Sequence, residues 1–251
     1  MSTDDHRASP ASFWSGYDIL WGLADQPASR TPLDREQIVA AAIALADAEG
    51  LDAVSMRRVA ASVGRGAMSL YRHVPDKDAL VSMMIERILA DSLAEDADLL
   101  MGVAPDWRAG LGLLARSTWH LARRHPWYPV ASLTRPPLTP SGVAGLELAF
   151  SLFDDFPIDI GTKMQFVAAV HFSVLMAALN TTIEQQTRAQ TEMSDDEVMA
   201  AATPFMERMV ASGTFPRVTE FVLNAEHVDD ETRMWNAVEL ILDGIAARLE
   251  P

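Results

Sequence analysis

Two short helical patterns separated by a glycine turn occupy residues 55–80, SMRRVAASVGRGAMSLYRHVPDKDAL. Ser55 is placed to cap the first helix. The apolar residues of that helix recur at i, i+3, i+4 and i+7 and predict one buried face: Met56, Val59, Ala60 and Val63. Gly64 ends it, and a second helix is predicted from Ala67 to His73, before Pro75. Its small, polar and basic outer face is what a helix-turn-helix unit requires to enter the major groove.

Further helical signals flank this unit. Asp34 and Gln37 form a capping box at the start of a predicted helix, and Gly50 ends that helix. Asp76 caps a long fourth helix, whose predicted buried residues are Leu80, Met83, Met84 and Ile88. No run shows sustained strand alternation, so the sequence predicts an all-α fold. We expect an N-terminal extension (1–30), a three-helix helix-turn-helix DNA-binding domain (31–78) and a larger helical ligand-binding and dimerisation domain (79–251).

The charge distribution separates a basic unit from an acidic body. The chain carries a net charge of −15, of which residues 91–251 contribute −12. Residues 55–77 contain four arginines and one lysine against Asp76 alone, a local charge of +4. Phosphate backbones are bound by local basic patches, so this distribution favours DNA binding. A helical protein-interaction adaptor that reuses a helix-turn-helix unit is the alternative function, and the local positive charge argues against it.

Composition excludes several classes of function. The chain has no cysteine, which rules out disulfides, thiolate metal sites and cysteine nucleophiles. No nucleophile elbow or phosphate loop is present, and His120 and His125 are spaced so that they do not share a helix face. We therefore expect no enzyme activity, no metal site and no cofactor. No signal peptide is visible, and we interpret the uncharged stretch 164–183 as a buried central helix, so a cytoplasmic protein without a membrane partner is predicted.

Over residues 33–90 the chain closely resembles the DNA-binding domain of the TetR (tetracycline-repressor) family, in residue identities, turn glycines and element lengths. A weaker resemblance to the helical ligand-binding domain of such proteins continues through three short motifs: Asp106-Trp107-Arg108, His125-Pro126-Trp127 and Gly213-Thr214-Phe215-Pro216. The resemblance implies a homodimeric repressor that binds double-stranded DNA at a palindromic operator. It also implies release from that operator by a small apolar effector.

The resemblance assigns DNA contacts to ten positions: Ser55, Arg57, Arg58, Arg65, Met68, Ser69, Tyr71, Arg72, His73 and Lys77. Arg57 stands where family members place a base or phosphate contact, and Met68 and Ser69 begin the groove-facing side of the recognition helix. Tyr71, His73 and Lys77 are placed to contact phosphate groups of the DNA backbone. The structural alternatives are that Arg57 and Arg58 form only a solvent-exposed helix face and that the ring of Tyr71 packs into the core.

The predicted helix Asp159–Gln186 is apolar on nearly all sides, so we expect neighbouring helices to surround it. Aromatic residues and scattered polar groups in this half are candidates for a ligand cavity: Trp119, His120, Trp127, Phe150, Phe166, His171, Phe172, Met176 and Asn180. The alternative for each aromatic is ordinary core packing. For His171 the alternative is a hydrogen bond to a neighbouring group.

For two further segments the sequence allows more than one packing partner. The predicted helix Asp229–Leu249 has one apolar side, which either joins the helix Asp195–Ser212 in a four-helix dimer interface or packs within one subunit. Residues 1–30 contain an apolar segment that is unlike a free tail, and we expect it to fold onto its own or a partner subunit. A minor-groove arm is the weaker alternative, because only Arg7 and Arg30 are basic there.

Overall fold

The computed structural model describes residues 10–22, 34–103, 106–191, 195–224 and 228–249. Every regular element in these ranges is helical, which confirms the all-α fold. The helices are α1 (Pro10–Leu20), α2 (Arg35–Glu49), α3 (Met56–Ser62), α4 (Ala67–Leu70), α5 (Lys77–Val103), α6 (Trp107–Arg124), α7 (Tyr128–Leu133), α8 (Pro140–Ser151), α9 (Ile160–Thr191), α10 (Asp195–Ser212), α11 (Pro216–Asn224) and α12 (Asp230–Leu249). A single 3-10 turn, Leu51–Ala53, joins α2 to the segment that precedes α3.

The predicted caps of α2 and α3 and the glycine turn after α3 are confirmed. The Asp34 backbone N–H donates to Gln37 Oε1 over 3.4 Å, as the capping box requires. The Ser55 hydroxyl accepts the Arg58 backbone N–H at 3.3 Å at the start of α3. Gly64 has a φ of +67°, a conformation in which a side chain would be strained. The turn between α3 and α4 therefore depends on this glycine.

Helix α4 is shorter than the predicted span Ala67–His73. The backbone N–H groups of His73 and Val74 both donate to the Leu70 carbonyl, over 2.8 and 2.9 Å. This shared acceptor tightens the last turn, as is common at helix ends, and Pro75 then prevents a continuation. Residues 71–73 thus form a turn that still presents their side chains beside α4.

Helix α5 connects the helix-turn-helix unit with the C-terminal body. The Ala79 N–H donates to Asp76 Oδ1 at 2.8 Å, which confirms Asp76 as the cap. The four predicted core residues of α5 are all buried: Leu80, Met83, Met84 and Ile88. Helix α5 packs against α2 near its start, and against α1, α6, α7 and α8. Its 27 residues give it a length of about 40 Å.

The expectation that neighbours surround α9 is wrong for the single chain. Helices α6, α7, α8 and α12 pack against α9, but they leave one face of it open. Phe172 and Met176 are each 52% exposed on that face, and Ile183 is 50% exposed. Their spacings of four and seven residues place them in one row. We call Phe172, Met176 and Ile183 the α9 stripe.

The apolar side of α12 packs within its own chain. Its buried residues face α9 and α6: Met234, Val238, Leu242 and Ile245. Intrasubunit packing, the second of the two predicted alternatives, therefore accounts for this side. Helix α10 packs against α11. Residues Ile160–Arg188 have the length and apolar composition of a membrane-spanning helix, yet α9 lies among the helices of the bundle.

Candidate DNA-binding surface and ligand cavity

The ten predicted DNA-contacting residues lie on α3, on α4, on the turns beside them and at the first residue of α5, so the fold brings them to one end of the molecule. The side chain of Met68 is 79% exposed and that of Tyr71 is 47% exposed. The arginines at 57, 58, 65 and 72 and Lys77 are exposed, whereas Ser55, Ser69 and His73 are partly buried. The predicted contacts therefore form one surface, and their roles toward DNA stay a prediction.

Three of the arginines on this surface have no carboxylate partner among the described residues. Arg57, Arg65 and Arg72 form no ion pair with any residue in the described ranges. We call these three arginines the basic face. An exposed guanidinium without an internal partner can meet a phosphate oxygen or a base edge without first losing an ion pair.

Other members of the predicted set already have partners inside the chain. Arg58 pairs with Glu49 at 2.6 Å, and the Lys77 ammonium donates to the Leu51 carbonyl at 3.3 Å. The Ser69 hydroxyl donates to the Gly66 carbonyl at 2.7 Å. Exposed ion pairs contribute little to stability, so the Arg58 pair is easily exchanged for a phosphate contact. These contacts also order the side chains before DNA arrives.

A cavity of about 380 Å³ lies among α1, α5, α6, α7, α8 and α9. Its walls are mostly aliphatic, with a small number of polar groups, as in many sites for small apolar ligands. His171 and Phe172 from the predicted ligand set line it. The polar lining groups that sequence reasoning missed are Tyr17, Ser92, Ser117, Thr118, Tyr128, Ser132, Arg135, Thr139 and Ser141.

The other buried members of the predicted ligand set lie outside the cavity lining. Trp119 is buried beneath Arg123, whose guanidinium carbon is 5.8 Å from the ring centroid. The Phe166 ring packs on Phe153, with centroids 5.6 Å apart. Trp127 is also buried, and its indole N–H is hydrogen-bonded away from the cavity. Core packing, the alternative stated for each aromatic, describes all of these positions.

The remaining four members of the predicted ligand set are exposed or partly buried and do not line the cavity. Phe150 is partly buried on α8, and its carbonyl accepts the Lys163 ammonium at 3.3 Å. His120 and Met176 are exposed. Asn180 is exposed and donates to Glu184 Oε1 at 2.7 Å. Of the predicted nine, the structure thus brings two together at the cavity.

The cavity environment keeps His171 neutral. Burial lowers the pKa of His171 from its ordinary value, because the charged imidazolium would lose its hydration. A neutral imidazole offers one donor and one acceptor to a ligand. Nearby, Ser92 and Ser117 share a hydrogen bond of 2.8 Å across α5 and α6. Within the described ranges, no three His, Asp or Glu side chains are grouped so that they could hold a metal ion.

A second, open depression of about 870 Å³ lies between α6 and α12. Arg108 on its rim is paired with Glu239 and Asp243, and Arg116 lies 4.7 Å from the Trp235 ring centroid. This surface is more polar and more exposed than the cavity, and its cations already have partners. The less open, more apolar cavity is therefore the better candidate for an apolar ligand.

Two contacts connect the cavity region with the helix-turn-helix unit. Arg135, which lines the cavity, pairs at 2.9 Å with Asp78 in the first turn of α5. The Asp47 carboxylate on α2 accepts the Trp127 indole N–H at 2.7 Å and lies 2.8 Å from His125 Nδ1. Helix α5 itself makes a third connection, because it begins beside α4 and contributes Ile85, Leu89, Ser92 and Leu93 to the cavity.

Comparisons with known families match both halves of the chain. Residues 38–84 match the model of bacterial regulatory proteins of the tetR family. Residues 103–249 match the tetracyclin repressor-like C-terminal domain. Together the two matches span most of the helix-turn-helix unit, the start of α5 and the C-terminal body.

A characterised relative and two solved structures are similar to the chain. The HTH-type transcriptional repressor DrrR1 of Streptomyces coeruleorubidus is 38% identical over 202 residues, which cover 79% of this chain and 73% of that protein. The fold is similar to that of ActR of Streptomyces coelicolor in complex with actinorhodin, with a TM-score of 0.70, 23% identity and coverage of 88% and 98% of the two chains. ActR in complex with (S)-DNPA gives a TM-score of 0.66 at 22% identity, over 87% and 100% of the two chains.

Proposed function

The chain belongs to the TetR family of bacterial regulatory proteins, whose members are transcriptional regulators and not enzymes, and on this premise we propose that it is a cytoplasmic, homodimeric repressor. It binds a palindromic operator through α3 and α4 and leaves that operator when an apolar effector of moderate size enters the cavity. The observation that carries the proposal is the course of α5, which begins next to the recognition helix and forms a wall of the cavity.

The DNA-binding end supports the first step of this proposal. The basic face provides three unpaired guanidinium groups at the end of an otherwise acidic chain of net charge −15. Arginine is the side chain best suited to bind guanine edges and phosphates through paired hydrogen bonds. We assign operator recognition to residues 31–78 and effector binding and dimerisation to residues 79–251, with residues 1–30 as an extension.

The α9 stripe supports a dimer. A row of half-exposed large apolar side chains on a long helix is costly in water and marks a protein interface. On α12, which packs against α9, Leu240 is a further exposed apolar side chain, with 74% of its surface accessible. We propose that two copies join through the α9 stripe and the outer face of α12. The dimer spaces two recognition helices for half-sites about one helical turn apart, roughly 34–36 Å.

The cavity supports effector control. A volume of about 380 Å³ lined by aliphatic side chains, serines and a neutral histidine suits an apolar compound that has a few oxygen or nitrogen substituents. An effector that prefers the non-binding arrangement by about 1–3 kcal/mol lowers operator affinity about 5–150-fold. By linkage, operator DNA weakens effector binding by the same factor.

Operator selection followed by titration tests the proposal. Purified protein is footprinted on fragments of its own genome, and the selected duplex is labelled for fluorescence anisotropy. Actinorhodin is the first effector to test, because ActR of the same fold binds it. We expect a two-fold symmetric footprint and release of the duplex by a compound that occupies the cavity. No protected site in the genome at micromolar protein would contradict the repressor assignment.

A cavity-filling variant connects release with the cavity. Gly145 lines the cavity, and a Cβ placed there meets no other atom within 4 Å. Gly145→Leu therefore fills space without a backbone clash and should abolish release while operator affinity is kept. Gly112→Leu on α6 is the matched control, because Gly112 also has open space at its Cβ but lies on the open depression. If the effector releases operator DNA equally from both variants, the effector site lies elsewhere in the protein.

A further inference from the structure

The N-terminal helix α1 is folded against the start of α5. A Cβ on Gly16 would lie 2.9 Å from the Ala79 Cα, so the two helices cross in close contact at this glycine. The Ser15 hydroxyl donates to Asp76 Oδ2 at 3.2 Å, beside the cap of α5. At the other end, the Trp21 indole N–H donates to the Leu138 carbonyl at 2.7 Å. Residues 10–22 thus fold onto their own subunit, and Arg7 and Arg30 lie outside the described residues.

Tyr17 on α1 forms part of the cavity wall. Its side chain is buried, and its hydroxyl donates to the Pro136 carbonyl over 2.9 Å. Burial raises the pKa of Tyr17, so the hydroxyl stays protonated at neutral pH. The helix therefore contributes both an aromatic surface and a polar group to the site. Without α1, this part of the cavity would open toward solvent.

Arg135 lies at the same end of the cavity. Its side chain is only 12% exposed, and it is the one permanent charge among the described lining residues. The ion pair with Asp78 uses part of its hydrogen-bonding capacity, since a guanidinium has five N–H donors. The end of the cavity thus combines a buried cation with a tyrosine hydroxyl inside an otherwise uncharged lining.

We infer that α1 is a component of the effector site, and that Arg135 and the Tyr17 hydroxyl, which turns from the Pro136 carbonyl to the ligand, bind an acidic oxygen, such as a carboxylate, at one end of an otherwise apolar effector. This inference rests on the proposed function, because it names the class of effector that the cavity takes. A buried anion is costly unless it is paired, and Arg135 is the group that can pair it. The effector acid competes with Asp78 for Arg135.

The competition provides a path toward the DNA-binding end. Asp78 lies in the first turn of α5, next to Lys77 and two residues after the Asp76 cap. An effector that draws Arg135 away removes the partner of Asp78 and loosens the tie between the cavity and the start of α5. The Ser15 hydroxyl of α1 donates to Asp76 beside the same turn, so α1 connects Tyr17 in the cavity wall with Asp76.

Two fluorescent probes that differ in one group test the inference on the full-length chain at pH 7.5. Anthracene-2-carboxylate carries the acid, and 2-(hydroxymethyl)anthracene is its neutral counterpart. We expect the wild type to prefer the carboxylate. Arg135→Gln should lower carboxylate affinity by about ten- to a hundredfold, the usual effect of losing a charge-assisted hydrogen bond, and should leave the neutral probe nearly unaffected. Asp78→Asn removes the competing carboxylate and should raise affinity for the acid.

Variants of α1 separate its role from that of Arg135. Tyr17→Phe keeps the ring and should weaken carboxylate binding by about two- to tenfold, because the lost hydrogen bond to the carboxylate had replaced the one to the Pro136 carbonyl. Gly16→Leu clashes with the Ala79 backbone, displaces α1 and should weaken both probes. Asp18→Asn, at an exposed position of the same helix, is the matched control and should bind both probes as the wild type does. Circular dichroism melts confirm that each variant is folded.

The outcomes distinguish this inference from the proposed function. If the neutral probe binds but the wild type shows no carboxylate preference, or if Arg135→Gln retains that preference, the acidic-effector inference is overturned and the cavity remains an apolar site. If Gly16→Leu binds both probes normally, α1 is not part of the site. If Gly145→Leu blocks the binding of neither probe, the probes do not occupy the cavity. The effector site of the proposed function is then wrong, together with the inference.

Discussion

The indole N–H of Trp127 donates to the carboxylate of Asp47 over 2.7 Å, and this hydrogen bond joins the C-terminal body to α2 of the DNA-binding unit. Trp127 is buried, and His125 Nδ1 approaches the same carboxylate at 2.8 Å. His125 and Trp127, in the segment that follows α6, thus converge on a single acceptor 78 and 80 residues earlier in the sequence. The carboxylate fixes the position of α2 relative to the loop that leads into α7.

Removal of that acceptor should destabilise the chain. In Asp47→Ala the buried indole N–H loses its partner, and we expect a loss of about 1–3 kcal/mol in the free energy of unfolding. Urea denaturation followed by tryptophan fluorescence measures this change. Asp52→Ala, which removes an exposed carboxylate from the turn after α2, is the control and should change stability much less. Equal stability of the two variants would show that the interdomain hydrogen bond contributes nothing.

Lys77 and Arg57 should affect DNA binding in different ways. Lys77 lies at the start of α5, where it is placed for the phosphate backbone, so Lys77→Ala should weaken all duplexes evenly. The slope of log affinity against log salt concentration should fall by about one unit. Fluorescence anisotropy from 50 to 200 mM salt measures the slope. An unchanged slope would remove Lys77 from the phosphate contacts.

For Arg57→Ala we expect a loss that depends on sequence. Arg57 is exposed without an internal counter-charge, so it is available to a base edge, and its removal should cost about 1–3 kcal/mol at one base position. Affinities for operator variants changed at single positions measure this effect. Arg87→Ala is the control, because this exposed arginine lies outside the predicted DNA-contacting set and is paired with Asp91. If Arg57→Ala loses the same affinity on specific and scrambled DNA, Arg57 is a phosphate contact.

A charge in the α9 stripe should prevent dimerisation. Met176→Glu places a carboxylate at a position that is half-exposed in the single chain and buried in the proposed dimer. Light scattering should then show a monomer at micromolar concentration, with greatly reduced operator affinity. Val130→Glu, at an exposed apolar position on α7, is the control and should remain dimeric. A dimeric Met176→Glu would place the subunit interface on another face.

His171 should contribute to acid sensitivity. Its folded pKa lies below that of an unfolded histidine, about 6.5, so the unfolded chain takes up this proton first as the pH falls. The wild type therefore loses stability below about pH 6.5, and His171→Gln removes this part of the loss. The Tm of His171→Gln minus the Tm of the wild type should increase as the pH is lowered from 7.5 to 5.5. His120→Gln, at an exposed position, is the control, and a constant difference for His171→Gln would contradict the assignment.

Local signals in the sequence were sufficient to predict the helix-turn-helix unit. Capping residues such as Asp34 and Ser55 act on their own helix, and the backbone of Gly64 has a conformation that its neighbours require. Such features depend on residues close in sequence, so they are visible without a tertiary structure. The end of α4 was missed by three residues, because the double hydrogen bond to the Leu70 carbonyl is a detail of turn geometry.

The cavity could not be predicted to the same degree. Aromatic composition pointed to Trp119 and Phe166, but aromatic rings fill cores and line cavities equally well, and helix packing decides between the two. Arg135 and Tyr17 were missed for a different reason. They meet only because α1 folds back across α5 and places residues more than a hundred positions apart at one end of the cavity. The apolar character of residues 13–23 was the available signal.

The α9 stripe has a consequence for gene control. If operator binding requires two copies joined through this surface, the active species grows with the square of the subunit concentration while most subunits are monomeric. A modest fall in expression then empties the operator more than proportionally. The strength of one apolar helix face would thus set the copy number below which the target genes are no longer silenced, independently of any effector.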